Sequence, residues 1–139
     1  MQTFRSLGES EARIAIDACI ADLKRRDKAA TVAVADSHGE LIALWRMDGA
    51  NLPSIVIAGN KAYTAARVRG DSGDMGRDVK STGDDAHYHG DARYVGWDGG
   101  AVVIHNGDVL GAVAVSGLIG EEDIAVARVG VDAILQVLG

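Results

Sequence analysis

The stretch A-V-V-I-H-N-G-D-V-L-G-A-V-A-V-S-G, residues 101 to 117, constrains the fold more than any other part of this chain. Two β-rich runs flank Asn106-Gly107, the dipeptide best suited to the left-handed conformations of a two-residue hairpin turn. That commits two strands to antiparallel pairing. A second hairpin is read upstream. T-V-A-V-A-D, residues 31 to 36, and L-I-A-L-W-R-M, residues 41 to 47, flank the turn S-H-G-E, which places His38 at an exposed tip.

Helical periodicity fills the intervals between the hairpins. Ala12, Ile16, Cys19 and Leu23 share one face of a helix over residues 9 to 27, with Ser6 or Ser10 as the capping residue. Pro53 suits the first turn of a second helix, over residues 53 to 69, with Ile55, Ala58, Ala62 and Ala65 on one face. Its small residues predict close packing on a sheet. Ile124, Ala127, Val131, Ile134 and Leu138 mark a C-terminal helix, and Glu121, Glu122 and Asp123 in its first turn favour the helix dipole. Residues 70 to 93 are rich in glycine and aspartate and only weakly periodic, the mark of a functional loop. R-Y-V-G-W, residues 93 to 97, reads as a short strand leading out of it. The resulting order, α-β-β-α-β-β-β-α, has hairpins where a parallel sheet would need crossovers. It predicts an α+β fold: an antiparallel sheet flanked by helices, in a single domain over residues 1–139.

Composition narrows the class of function. A net charge of −6 with no basic stripe argues against nucleic acid as a partner. No apolar run reaches the length of a membrane span, and residues 1 to 11 lack a secretory signal pattern, so a cytoplasmic location is expected. The lone cysteine, Cys19, lies on the apolar helix face and reads as a buried hydrophobe.

Candidate chemistry collects where strands and helices end. Arg46, Asp48 and Gly49 close the second strand, while Ser54, Lys61 and Thr64 lie along the following helix. Gly99-Gly100 leads into the hairpin, and Ser116-Gly117 leads out. The stretches V-A-V-A-D-S-H-G-E-L-I-A, R-M-D-G-A, S-x6-K-A-x-T-A, W-D-G-G, N-G-D-V-L-G-A-V-A-V-S-G and E-E-D-x3-A, in this order, resemble the GlcG/HbpS-like family of haem-binding or haem-degrading domains. That family also supplies the C-terminal part of some corrinoid adenosyltransferases. The resemblance implies a profilin-like fold of about five antiparallel strands, with the terminal helices on one face and the middle helix on the other. It implies a homo-oligomer, a dimer or octamer, and a small-molecule ligand with haem as a candidate. The family's motif residues map onto Arg46, Asp48, Ser54, Lys61, Thr64, Gly99, Gly100, Ser116, Gly117 and Asp123. Gly99, Gly100 and Gly117 read as tight backbone positions, and Asp123 reads equally as a helix-end charge or a ligand. Arg46 and Asp48 either pair with each other or serve a site. Lys61 on an apolar helix faces solvent or a pocket. In a pocket it would join Arg46 in holding a carboxylate, with Ser116 adding a hydrogen bond.

The stretch G-D-D-A-H-Y-H-G-D, residues 83 to 91, lies outside the family pattern. In an extended segment His87 and His89 would point to the same side. Three readings stay open: a polar surface loop, a pocket wall with an acid–base or orienting role, and a ligand set for a divalent metal or haem iron. Tyr88, Tyr94 and Trp97 add aromatic surface suited to a planar ligand. Two functions compete. One is an oligomeric haem- or small-molecule-binding protein. The other is a lyase, isomerase or hydrolase acting on an organic acid, with Arg46 and Lys61 as anion anchors and His87 and His89 as acid–base groups.

Overall fold

The computed structural model describes all residues, Met1 to Gly139. Both hairpins form where the sequence places them. Strand β1 (Thr31–Ala35) pairs antiparallel with β2 (Leu41–Arg46), and β3 (Gly100–His105) with β4 (Asp108–Ser116). The turn residues Asn106 and Gly107 have φ of 52° and 84°, the left-handed values a tight hairpin requires. The hairpins join through β1 and β4, giving one sheet in the order β2-β1-β4-β3. It has four strands, not the five implied by the family resemblance. The segment read as a further strand, residues 93 to 97, is a loop. The Val95 amide donates to the Thr64 hydroxyl at 2.9 Å instead of entering a strand ladder.

The helices are α1 (Glu9–Arg25), α2 (Ser54–Val68), α3 (Ser72–Thr82) and α4 (Gly120–Leu138). Helix α1 starts from Gly8, whose N–H donates to the Glu11 carboxylate, and not from a serine cap. Ser6 instead accepts the Ser37 amide. Helix α3 lies within the segment read as a loop. It contributes only Met75 and Val79 as large apolar residues, and the glycines that hide its periodicity are what let it dock. A Cβ at Gly76 would collide with the backbone of Gly96, and one at Gly73 with the Asp98 side chain. Asp71, at its N-cap, accepts from the Val102 amide and from Arg128, both at 3.1 Å, and so ties α3 to β3 and α4.

Strand alternation sorts side chains into two layers. Val32, Val34, Val113 and Val115 face α1 and α4 in the main core, which includes Cys19, Leu23, Val126 and Ile134. Burial pushes the Cys19 thiol up to about 12, so it stays protonated as an inert hydrophobe. On the other face, Ala33, Ala35 and Ala114 meet Ala58 and Ala62 of α2, with Ala65, Ala66 and Ala112 beside them. Terminal helices on one face and the middle helix on the other is the arrangement the resemblance implied. No helix is long and apolar enough to cross a membrane.

An interface of alanines leaves no slack for a larger side chain. Ala62→Leu should destabilise the fold by about 1–3 kcal/mol through overpacking. Urea unfolding tests this, as a lower midpoint with unchanged slope.

Candidate functional site

Where β3 begins and β4 ends, the two helical layers touch. Lys61 of α2, only 2% exposed, reaches past the sheet end to Asp123 of α4. Its Nζ donates to Asp123 Oδ2 at 2.9 Å and to the Val115 carbonyl at 3.1 Å. The other Asp123 oxygen accepts the Leu118 amide at 3.0 Å. Burial raises the Asp123 pKa above the ordinary carboxylate value, against the lowering effect of the Lys61 bond. Gly99 has a φ of 130°, and a Cβ there would collide with the Val115 carbonyl and crowd the Lys61 ammonium. A Cβ at Gly100 would strike the Lys61 carbonyl. The adjacent glycines open the passage through which the lysine crosses.

This junction floors a cleft of about 540 Å³, lined by Lys61, Trp97, Asp98, Ser116, Gly120 and Asp123 among others. Ser116 is 5% exposed and its hydroxyl makes no hydrogen bond within the chain. Every fully enclosed polar side-chain atom has a partner, so the Ser116 Oγ must open onto the cleft.

A second cleft, of about 700 Å³, runs between α3 and residues 94 to 98. Ile57, Met75, Val79, Val95 and Trp97 give it apolar walls, and Arg77 and Lys80 stand on it as cations. Arg77 is held by Asp98 at 3.0 and 3.2 Å and by Asp74 at 2.7 Å. Lys80 has no ion pair. Trp97, 66% exposed, and Asp98 line both clefts.

The histidine loop forms a short 3-10 turn, Ala86–His89, and not an extended segment. Residues two apart on such a turn point in different directions, so the two imidazoles do not share a side. Both are exposed. His87 Nδ1 lies 2.6 Å from Asp85 Oδ1, and His89 Nδ1 lies 3.2 Å from the Ala86 carbonyl. Hydrogen bonds from the His87 amide and ring lower the Asp85 pKa. No group of three or more His, Cys, Asp or Glu side chains is placed to hold a metal ion. The loop is moored by a stack on α2. His89 packs on Tyr94 at 4.9 Å between ring centroids, and Tyr94 on Tyr63 at 5.4 Å. The Arg93 guanidinium lies 3.8 Å from the Tyr63 ring centroid and that of Arg67 lies 5.0 Å away. Tyr63 donates to Asp91 at 2.6 Å; that bond, with those from Arg93, holds the Asp91 carboxyl well below its usual range. Burial, then the same bond, pushes the Tyr63 phenol up to about 12.

Among the sequence candidates, Lys61, Trp97, Ser116 and Asp123 converge on one cleft, with Gly99 and Gly100 shaping its floor. Thr64 serves as a tether for residues 93 to 95, accepting from Val95 and donating to the Arg93 carbonyl at 3.4 Å. Ser54 bonds Thr31 at 2.8 Å beneath the start of α2. Arg46 and Asp48 are exposed, form no ion pair with each other and line neither cleft. The joint anchor of Arg46 with Lys61 is therefore not formed. Met75, Arg77, Lys80 and Asp98 were not legible as site residues. The only signal was W-D-G-G, whose aspartate proves to be the hinge between the clefts.

A family model described as "Haem degrading protein HbpS-like" matches residues 7–132. An uncharacterized 15.0 kDa protein from the dhaT-dhaS intergenic region of Citrobacter freundii is 37% identical over 105 residues, covering 72% of each chain. The corrinoid adenosyltransferase PduO of Salmonella typhimurium is 29% identical over 107 residues, which are 74% of this chain but only 31% of that protein. Among solved structures, Klebsiella pneumoniae protein ORFY superposes with a TM-score of 0.89 at 26% identity, covering 97% of this chain and 94% of that one. A PduOC–haem complex superposes with a TM-score of 0.83 at 24% identity, over 92% and 94% of the two chains.

Breaking the buried pair on one side leaves an uncompensated charge. Lys61→Met or Asp123→Leu alone should each cost about 3–5 kcal/mol, and the double variant should recover about half of that loss. Chemical unfolding of the three variants as a double-mutant cycle checks it.

Proposed function

The chain belongs to the HbpS-like family, and on that footing we propose that it binds haem, or a planar anionic ligand of similar size, in the cleft between α3 and residues 94 to 98. The cleft itself supports this reading most. Apolar walls from Ile57, Met75, Val79, Val95 and Trp97 suit a macrocycle, and Arg77 and Lys80 suit its carboxylates. The similar PduOC fold, solved with haem, is consistent with it.

The residues present fit the group. Met75 offers a thioether and Tyr94 a phenol from the walls, both known types of iron ligand. Arg67 Nε donates to the Tyr94 oxygen at 3.2 Å and fixes its orientation. His87 and His89 border the cleft only through Ala86 and act as an outer rim in this reading. Haem bound here would supply a redox-active iron. The chain's own part is to exclude water with Ile57, Val79 and Trp97 and to neutralise a carboxylate with Lys80, the cation on that cleft without an ion pair, while Arg77, already held by Asp74 and Asp98, adds a hydrogen bond.

Self-association fits the exposed apolar side chains along edge strand β2 and the start of α2, namely Leu41, Trp45, Leu52 and Val56. No observation favours the organic-acid enzyme. Arg46 lines neither cleft, and the histidines lie outside the one that Lys61 lines.

Haemin titration read at the Soret band tests the ligand. A saturable one-to-one shift is expected. Affinity should fall about tenfold, near 1.4 kcal/mol, in Lys80→Glu and further in Met75→Ala/Tyr94→Phe. The shift should survive His87→Ala/His89→Ala. No shift at stoichiometric protein would end the haem reading, and loss in the histidine variant would move the iron ligand to the loop. Light scattering of Trp45→Glu/Val56→Glu against the native chain tests association, with a smaller particle expected from the variant.

A further inference from the structure

We propose that the cleft at the sheet end, floored by the Lys61–Asp123 pair, is a binding site for a small monocarboxylate, adjoining the planar-ligand cleft, with which it shares Ile57, Trp97 and Asp98. The cleft carries hydrogen-bonding groups that have no partner in the chain. Ser116 is 95% buried by its 5% exposure, yet its hydroxyl has no partner in the chain and opens onto the cleft. An ammonium has three N–H groups, and Lys61 uses two of them within the chain. At the start of α4 the amides of Glu122 and Asp123 both reach the Ile119 carbonyl, while those of Gly120 and Glu121 have no partner in the chain. The carboxylates nearby already have partners. Both Asp123 oxygens are taken, and both Asp98 oxygens accept from Arg77. The groups left with no partner at all are two amides, one ammonium N–H and a hydroxyl, a set weighted towards donors that favours a ligand bringing acceptors.

Charge fixes how many. Lys61 is matched by Asp123, and Arg77 is shared between Asp98 and Asp74, so the ionised side chains leave no surplus of positive charge. What remains is the positive end of the 19-residue helix α4, to which Gly120 belongs. One negative charge is stabilised there. A second would meet Asp98, Asp123 and the first-turn Glu121 and Glu122. This selects monocarboxylates over dicarboxylates and over dianionic phosphate. Pro53, Ile57 and Trp97 give the far wall an apolar character that suits a short aliphatic end.

Propionate is the probe. The full chain is titrated in a Trp45→Phe background, so that Trp97, which lines the cleft, is the reporting indole. A saturable fluorescence change and a rise in Tm are expected with propionate, and neither with glycerol or succinate at the same concentration. Ser116→Ala, flanked by Ala112 and Ala114 on the same face, should weaken propionate at least tenfold with an unchanged circular dichroism spectrum. Should that variant not fold, Gly120→Pro decides by the same criterion. It removes one free N–H at a first helical position, where Ile119 already has a pre-proline-compatible ψ of 155°. No response to propionate, an equal response to succinate or glycerol, or undiminished affinity in the deciding variant overturns the proposal. Haemin binding is read at the Soret band, so a failure of either reading is recognised without the other.

Discussion

The contact between Lys61 and Asp123 is the constraint on which the rest of the sheet end depends. The two residues belong to helices on opposite faces of the sheet, and they meet only because the sheet stops short and Gly99 and Gly100 carry no side chains. A buried ion pair is a poor source of net stability, because desolvation consumes most of the attraction. Its value here is positional. The closely packed alanine face of α2 sets the depth of the helix, and the ion pair sets how far it can slide along the sheet. Ser116 Oγ, Trp97 and the start of α4 take their relative places from that setting.

Around this fixed point the chain adds a layer of weaker, more polar fastenings. Helix α3 is held by glycine contacts and by the Arg77–Asp98 and Asp71–Arg128 pairs, most of them at the surface. The histidine loop hangs from the Tyr63 stack through Tyr94 and Asp91. The wall of the larger cleft that these elements build is therefore softer than the floor of the smaller one. A rigid polar floor suits a small ligand read by hydrogen bonds, whereas an adjustable apolar slot suits a bulky planar one.

The elements legible in the sequence were those with a strong local period. Asn106-Gly107, the β-branched run at residues 31 to 36 and the faces of α1, α2 and α4 each map onto the structure within a residue or two. Helix α3 was not legible because S-G-D-M-G-R-D-V-K-S-T has too few apolar residues to show a face, and its helical state is set by tertiary docking. R-Y-V-G-W looked like a strand because its residue types favour one, yet Thr64 and Gly76 capture its backbone first. For Lys61 the sequence leaves solvent and pocket both open and suggests a carboxylate ligand shared with Arg46, whereas the lysine is buried against Asp123. Spacing along one helix says which side chains share a face. It says nothing about which distant helix end comes to meet them.

The strand order bears on how the molecule assembles. β1 with β2 and β3 with β4 are local hairpins that close over short loops. The central pairing sets Thr31 against Ser116 and must close most of the chain into a loop. Local hairpins form rapidly and long-range pairing slowly, because the closure entropy comes before the contacts that offset it. Ser116, Val115 and the Lys61 crossing lie on that central seam. The binding end of the protein thus rests on a long-range closure and not on either hairpin alone, and a chain that has both hairpins but no seam has no site.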